Sequence, residues 1–483
     1  MALQWRSLSL IKERIVSTIQ QAQPPLKFIP PDLNFTVVRL MQVLLPALLR
    51  SRTSIRRIEA ENVDVLVDLY RQFQAGNIRF LMAFRHPSAD DPYCLAYLLS
   101  RLVPQAAKAK GVALQRPVHS HFLYDRGIPL WAGSFTSWLY PKLGGTPIMR
   151  GKLDRQGLRS ARDLFANGPL PMAAAPEGAT NGHSEIVSPI EPGVSQLGFW
   201  CVEDLQKAGR SEEVWIVPIG IQYHFIAPPW ANLNTLLTDL EIDAGLLPAG
   251  SKPPTDYSED KLYERLYRLG QRLLSAMEQH YIRFYHQDLP EAQAIAADPA
   301  STPLISNEAF SSRLNALLNA ALTVAEDYFA LPPNGTVIDR CRRLEQAAWD
   351  YIYREDLKDA DALSPLERGL ADRIAEEADL RAWHMRLVES FVAVTGRYVK
   401  ERPTAERFAE TTLLMRDVLT RIKGNQNPFN RPSLGNQRVL LTVGQPISVS
   451  ARWDAYKENR RNAKQAVNQL TQDLQTALES LIH

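Results

Sequence analysis

The turn FRHPSADDPY, residues 84–93, sets a histidine and a carboxylate a few positions apart, His86 and Asp91. A histidine held by a carboxylate can serve as a general base, because the carboxylate fixes the ring and stabilises the imidazolium that forms. Asp90 is a competing partner one position nearer. Pro92 suits the first turn of a helix, which would place Asp91 at its N-cap. The same spacing is also met by a plain loop histidine and a plain helix cap.

Three later segments carry one candidate group each. GGTPIMR, residues 144–150, ends a short apolar run with Arg150. An arginine there can grip a phosphate in bidentate fashion, or sit in a surface ion pair. AAAPEGAT, residues 173–180, ends another run with Glu177 and Gly178. That glutamate can accept a hydrogen bond from a hydroxyl, or simply close a turn. IVPIGI, residues 216–221, sets Pro218 in an apolar run, where the missing N–H marks an edge or a bulge. His119 and His121 share a strand face with no third ligand nearby and read as structural. Ser195 in GVSQL lacks the second glycine of a nucleophile elbow. The chain has no GxxxxGK[ST] and no GxGxxG.

Short apolar runs at Arg79–Phe84, Val118–Tyr124, Pro147–Met149, Met172–Ala175 and Val214–Tyr223 read as strands. Helical periods near 62–75, 93–104, 154–166 and 192–208 lie between them. This alternation predicts an α/β fold, a mainly parallel sheet with helices on both faces. The candidate groups then follow strand ends, where open α/β sheets bind ligands. Residues 224–257 are rich in proline and glycine and read as a linker. From Ser258 to Lys423 the pattern is nearly all helical, with Leu314, Leu317, Leu318, Ala321, Leu322 and Ala325 on one face, and Leu413, Val418 and Ile422 in another helical stretch. The run Val439–Val443 reads as a buried strand and 453–481 as a final helix. One strand and one helix cannot bury a core alone, so they rejoin the first sheet. The expected organisation is a basic N-terminal helical cap over 1–60 and an α/β domain over 61–235. A large all-α insertion over 236–435 follows, with a return over 436–483.

The 483 residues exceed one ordinary domain of roughly 100–200. With 45% hydrophobic and 22% charged residues, the composition excludes disorder, collagen and a disulfide scaffold. Cys94, Cys201 and Cys341 are far apart, with no CxxC, and suggest a reducing compartment. The most apolar stretch, Phe35–Leu49, contains Arg39 and Pro46 and is shorter than the ~18 residues that span a bilayer. The start, MALQWRSLSLIKERIV, lacks the apolar core of a secretory leader. The net charge of +2 conceals an asymmetry. Residues 1–57 carry nine Lys/Arg against Glu13 and Asp32, so the rest is net acidic. With Trp5, Leu8, Leu10, Ile11, Ile15 and Ile19, this basic start suits an anionic membrane surface, or a helical cap with solvated cations. Charge is mixed elsewhere, so no nucleic-acid partner is expected. A cytoplasmic location is expected, with residues 1–57 either in peripheral contact with the inner face of a membrane or packed as a cap on the main domain.

In this order, the segments resemble the glycerolipid acyltransferase family, which includes glycerol-3-phosphate and lysophosphatidate acyltransferases. The first motif, NHxSxxDP, reads RHPSADDP: His86, Ser88, Asp91 and Pro92 match, and Arg85 replaces asparagine. GxxFIxR is matched by GGTPIMR through Gly144 and Arg150, with Pro147 for phenylalanine. FPEGTRS becomes APEGATN, which keeps Glu177 and Gly178 but has Ala175, Ala179 and Thr180 for Phe, Thr and Arg. The fourth motif, a proline in an apolar strand, is met by Pro218, and a later GxPI by Gly444, Pro446 and Ile447. The resemblance covers about 60–235 and 436–483.

It implies that His86, oriented by Asp91, takes the proton of an acceptor hydroxyl attacking an acyl-carrier-protein or acyl-CoA thioester. Arg150 holds the acceptor phosphate, and Glu177 and Gly178 position the acceptor. Ser88, Gly144 and Pro218 complete the substrate site. No metal, no cofactor beyond the thioester co-substrate and no covalent acyl-enzyme are implied. The missing arginine of the third motif leaves Arg155 and Arg159 to compensate if they turn inward; otherwise they are a solvated helix face. That departure also keeps open a non-catalytic lipid- or partner-binding member of the fold; a thioester hydrolase, with water replacing the acceptor in the same site, is a further alternative.

Overall fold

The structure is a computed structural model that describes residues 20–149, 154–292, 303–358, 362–391, 397–424 and 431–482. These form two compact units. The first comprises 28–273, 303–307 and 397–482, and the second 20–27, 274–292 and 308–391.

Chain order in the first unit begins α1 (Phe35–Arg52), β1 (Ile55–Glu61), α2 (Val63–Gln74), β2 (Ile78–Phe84), α3 (Asp91–Tyr97) and α4 (Val103–Ala109). It continues β3 (His121–Asp125), α5 (Ile128–Ala132), α6 (Ser134–Lys142), β4 (Gly145–Ile148), α7 (Arg155–Asn167), β5 (Met172–Ala174) and α8 (Gly193–Lys207). Then come β6 (Glu213–Phe225), α9 (Trp230–Asp243) and α10 (Glu259–Tyr285), whose second half belongs to the other unit. Helices α11 (Asn307–Phe329), α12 (Val337–Ile352) and α13 (Pro365–Phe391) build that second unit. The first unit closes with α14 (Tyr398–Glu401), α15 (Ala405–Ile422), β7 (Gln437–Val443), β8 (Ile447–Ser448), α16 (Trp453–Lys457) and α17 (Arg460–Glu479).

The sheet order is β1-β7-β6-β2-β5-β3-β4, with β8 also paired to β6. All pairings are parallel except β6 with β7 and β6 with β8. β2 is buried along its whole length, as a central parallel strand must be. Its side chains alternate between two cores. Phe80, Met82 and Phe84 join Val217, Ile219 and Ile221 against α2, α3 and α4. Leu81 and Ala83 join Val214 and Ile216 against α7, α8 and α17. Helices therefore cover both faces. The one cation of β2, Arg79, is buried because it caps α7, donating Nε to the Phe165 carbonyl at 2.7 Å and Nη2 to Gly168 at 2.8 Å. Between α3 and α4 the helix widens to a π turn over Leu98–Leu102, just before Pro104, which has no N–H to donate.

The returning strand is β7, parallel to β1 and antiparallel to β6. Several expectations need correction. Residues 55–60, placed in the helical cap, belong to strand β1 (Ile55–Glu61); it lies at the sheet edge, so its polar IRRIEAE sequence hides the pattern. The segment 224–257 is not all linker, because α9 follows Pro229 and buries Leu233, Leu237 and Leu240. The final helix is broken, and Asn459 caps its second part by accepting from the Asn462 N–H at 2.9 Å. Residues 236–273, 397–424 and 431–435 group with the sheet, leaving a smaller helical unit than 236–435. Within that unit, Leu314, Leu317, Leu318, Ala321, Leu322 and Ala325 are all buried. The buried face of α15 is Phe408, Met415, Val418 and Leu419, whereas Leu413 is half-buried and Ile422 exposed. Trp5, Leu8, Leu10, Ile11, Ile15 and Ile19 lie outside the described residues.

Candidate active site

Strands β6, β2, β5, β3 and β4 run the same way, so the turns after Phe84 and Ala174 emerge at one edge. His86 Nδ1 and Asp91 Oδ2 are 2.9 Å apart there. Asp91 is not the N-cap. That position is Asp90, whose side chain makes no capping bond, and Asp91 is the first helical residue. Its buried carboxylate reaches back to the turn: Oδ2 also accepts the Ser88 N–H at 2.9 Å, and Oδ1 accepts the Tyr223 hydroxyl at 2.5 Å. An ionised carboxylate only accepts, so we assign the proton between them to His86 Nδ1. Nε2 then carries the lone pair and has no hydrogen-bond partner among the described residues. The ring is 22% exposed, enough for a reactant to reach it.

Burial keeps the Tyr223 phenol protonated, well above its usual range, with the Asp91 charge adding to the effect. Asp90 does not pair with His86. Burial, and then the Asp91 charge, push its carboxyl up to about 6. Ser88 shapes the turn: besides its N–H on Asp91, its Oγ accepts the Asp90 N–H at 3.2 Å.

Glu177 and Gly178 follow β5. Gly178 has φ +72°, a left-handed turn conformation that suits glycine. The Glu177 side chain is fully buried and its oxygens are occupied. Oε1 accepts the His86 N–H at 2.8 Å, and Oε2 accepts the Ser188 N–H and Asn181 Nδ2, both at 2.9 Å. In this structure Glu177 holds the His86 backbone rather than offering an oxygen to a substrate. Arg85, also fully buried, stands 3.7 Å from Glu177 Oε1. Its guanidinium donates to the carbonyls of Ser184 at 2.5 Å, His183 at 3.1 Å and Ile186. Arg85 and Glu177 together staple the loop 177–188 to the His86 turn.

Other sequence candidates fall elsewhere. Gly144 precedes β4, at the amino end of the strand and so at the sheet edge away from His86. Its φ is +82°, and a Cβ would sit 2.8 Å from His121 Nδ1. That nitrogen pairs with the Gly144 carbonyl at 2.9 Å, and His119 Nε2 with the Leu143 carbonyl at 2.9 Å. Burial lowers both histidines, His119 to about 4. Pro218 is buried in the sheet interior, not at an edge. Its carbonyl accepts the Gly444 N–H at 2.9 Å, so its polar side faces the gap between β7 and β8, where a missing donor breaks no ladder. Arg150 lies outside the described residues, and Arg155 and Arg159 are exposed on α7 rather than turned inward. Arg126, after β3, is committed to Asp154. Ser195 is buried, its Oγ accepting from the Thr471 hydroxyl at 2.9 Å. Among the described residues no His/Cys/Asp/Glu group has metal-binding geometry.

Sequence reasoning missed Arg85 and Asn181 as loop staples, and Tyr223 beside the carboxylate. The signal for Tyr223 was its alternation with Val217, Ile219 and Ile221, which puts it on the face packed by α3. No protein-family model, curated protein or solved structure matches the chain.

Proposed function

We propose that the chain is an O-acyltransferase. It moves a fatty acyl group from an acyl-carrier-protein or CoA thioester to a hydroxyl of a glycerol-phosphate-type acceptor. The observation that carries this reading is the His86–Asp91 pair, held on a buried carboxylate at the carboxyl edge of the sheet. His86 Nε2 takes the proton of the acceptor hydroxyl as its oxygen attacks the thioester carbonyl carbon. The C–O bond forms, the C–S bond breaks, and the leaving thiolate recovers the proton from the imidazolium. Asp91 stabilises that cation. The order of the four motif segments along the chain supports the assignment, and Arg150 is the residue proposed to meet the acceptor phosphate.

The reading places the protein at the inner face of an anionic membrane. On α1, Val38, Leu45 and Leu49 face the core, while Leu40, Val43, Leu44 and Ala47 form an exposed apolar stripe. The helix carries Arg39, Arg50 and Arg52 and no acidic residue. Such a stripe flanked by cations suits an interfacial helix. No helix of the described residues is long and apolar enough to cross a membrane.

The test offers acyl-carrier-protein and acyl-CoA thioesters to purified protein with glycerol-3-phosphate, lysophosphatidate or a non-phosphorylated alcohol. Ester formation supports the proposal and names the acceptor. Release of free acid alone makes the protein a thioester hydrolase. Neither product, from folded protein, overturns catalysis and leaves a binding role.

A further inference from the structure

We infer that Tyr223 is a positioning residue of the His86–Asp91 pair: its hydroxyl locks the Asp91 carboxylate plane and thereby keeps the proton on Nδ1 and the lone pair on Nε2. The Asp91 carboxylate has two oxygens and three protein donors. His86 Nδ1 and the Ser88 N–H both lie on Oδ2. Among the described residues, Tyr223 is the one donor on Oδ1. Without it, a single oxygen is fixed and the carboxylate can turn about its Cβ–Cγ bond. Asp91 is buried, so no bulk water stands ready to replace the phenol.

Tyr223 is itself held on three sides. Its ring belongs to the core shared with Ile219, Ile221 and Val439. In register it faces Val439 of β7. Its backbone N–H, which points past the end of β2, donates to Ser184 Oγ at 3.3 Å. The Ser184 carbonyl is in turn taken by Arg85. A buried phenol is costly unless paired, and a phenylalanine would fill the same space without that demand. The hydroxyl has one proton, and Asp91 takes it; among the described residues its other polar neighbour is Cys94, whose S–H, 3.7 Å away, can only donate weakly to the phenol oxygen. The hydroxyl thus has a specific task at Asp91.

The catalytic consequence rests on the acyl-transfer reading; the ring tautomer does not. The experiment compares wild type and Y223F by 15N NMR of labelled histidine, with the His86 signals assigned by difference from H86A, alongside transfer kinetics. Wild type should show neutral His86 with Nδ1 protonated and Nε2 bare. Y223F should populate the Nε2–H form. Its kcat should fall about 10-fold, the size expected for a lost bond to a charged group, with KM within about twofold. An unchanged tautomer and kcat in folded Y223F would overturn the inference. Should Y223F not fold, the wild-type spectrum decides, because a dominant Nε2–H form there contradicts the assignment. If wild type transfers no acyl group, the acyl-transfer reading fails and the 15N comparison still tests Tyr223.

Discussion

Replacing Glu177 by glutamine separates the two tasks open to this residue, holding the protein or holding a substrate. The change preserves size but removes one acceptor oxygen and the charge beside Arg85. Three donors converge on the carboxylate, from His86, Ser188 and Asn181. A glutamine has one oxygen, so its amide nitrogen must face at least one of those donors. Losing one hydrogen bond to a charged group costs ~1.5–3 kcal/mol. Arg85 would also be left buried with neutral carbonyl partners alone. Breaking one side of a buried ion pair costs ~3–5 kcal/mol, and the two effects overlap rather than add. We therefore expect E177Q to lose about 3–5 kcal/mol in denaturant unfolding of the sheet-bearing unit. Hydrogen exchange should accelerate first at His86 and Ser188, whose N–H groups Glu177 holds. Activity should drop in kcat, with the acceptor KM nearly constant. A variant within about 1 kcal/mol of wild type, with a raised acceptor KM, would show that Glu177 serves the substrate and would refute the staple.

Three further outcomes follow from the geometry. G144A should destabilise by about 2 kcal/mol, from left-handed strain and a Cβ pressed on His121, yet leave kcat unchanged because Gly144 sits at the far edge; thermal unfolding and kinetics check both halves. Burial pushes Glu410 up to about 7, although it accepts from Tyr398 at 2.6 Å and Ser184 at 3.0 Å. A carboxyl with a raised folded value binds its proton more tightly when folded, so its contribution to stability is lost as pH rises from about 4.5 to about 7. Wild type should lose stability relative to E410Q across that window, and parallel stability curves would contradict it. For the membrane face, L40E/V43E should weaken co-sedimentation with anionic vesicles at least tenfold; undiminished binding would remove α1 from that surface.

The sheet and its central strands were legible because β2, β5 and β6 are buried apolar runs bounded by turns. The edge strand β1 was not, since four of its seven residues are charged. Helix α9 was hidden behind Pro228 and Pro229, which read as loop yet stand just before a helix. At the site, the spacing of His86 and Asp91 anticipated their meeting. Spacing could not tell that Glu177 is used up by the protein, because its partners are the His86 N–H and, from a loop folded back by Arg85, Asn181 and Ser188. Nor could it reveal Gly144 as a packing residue. A motif glycine looks the same in sequence whether its neighbour is a ligand or a histidine ring. For Tyr223 the alternation of β6 showed the face but not the partner: it comes from a strand more than a hundred residues later, and the pairing of β2 with β6 brings it to Asp91.

The most direct measurement is the rate of acyl transfer by wild type against H86A in one assay, with circular dichroism confirming that both are folded. Loss of a general base predicts a drop of about 10²–10⁴ in kcat for H86A. Transfer that persists in H86A at the wild-type rate would contradict the account, because the pair would then hold a turn together without taking part in the chemistry.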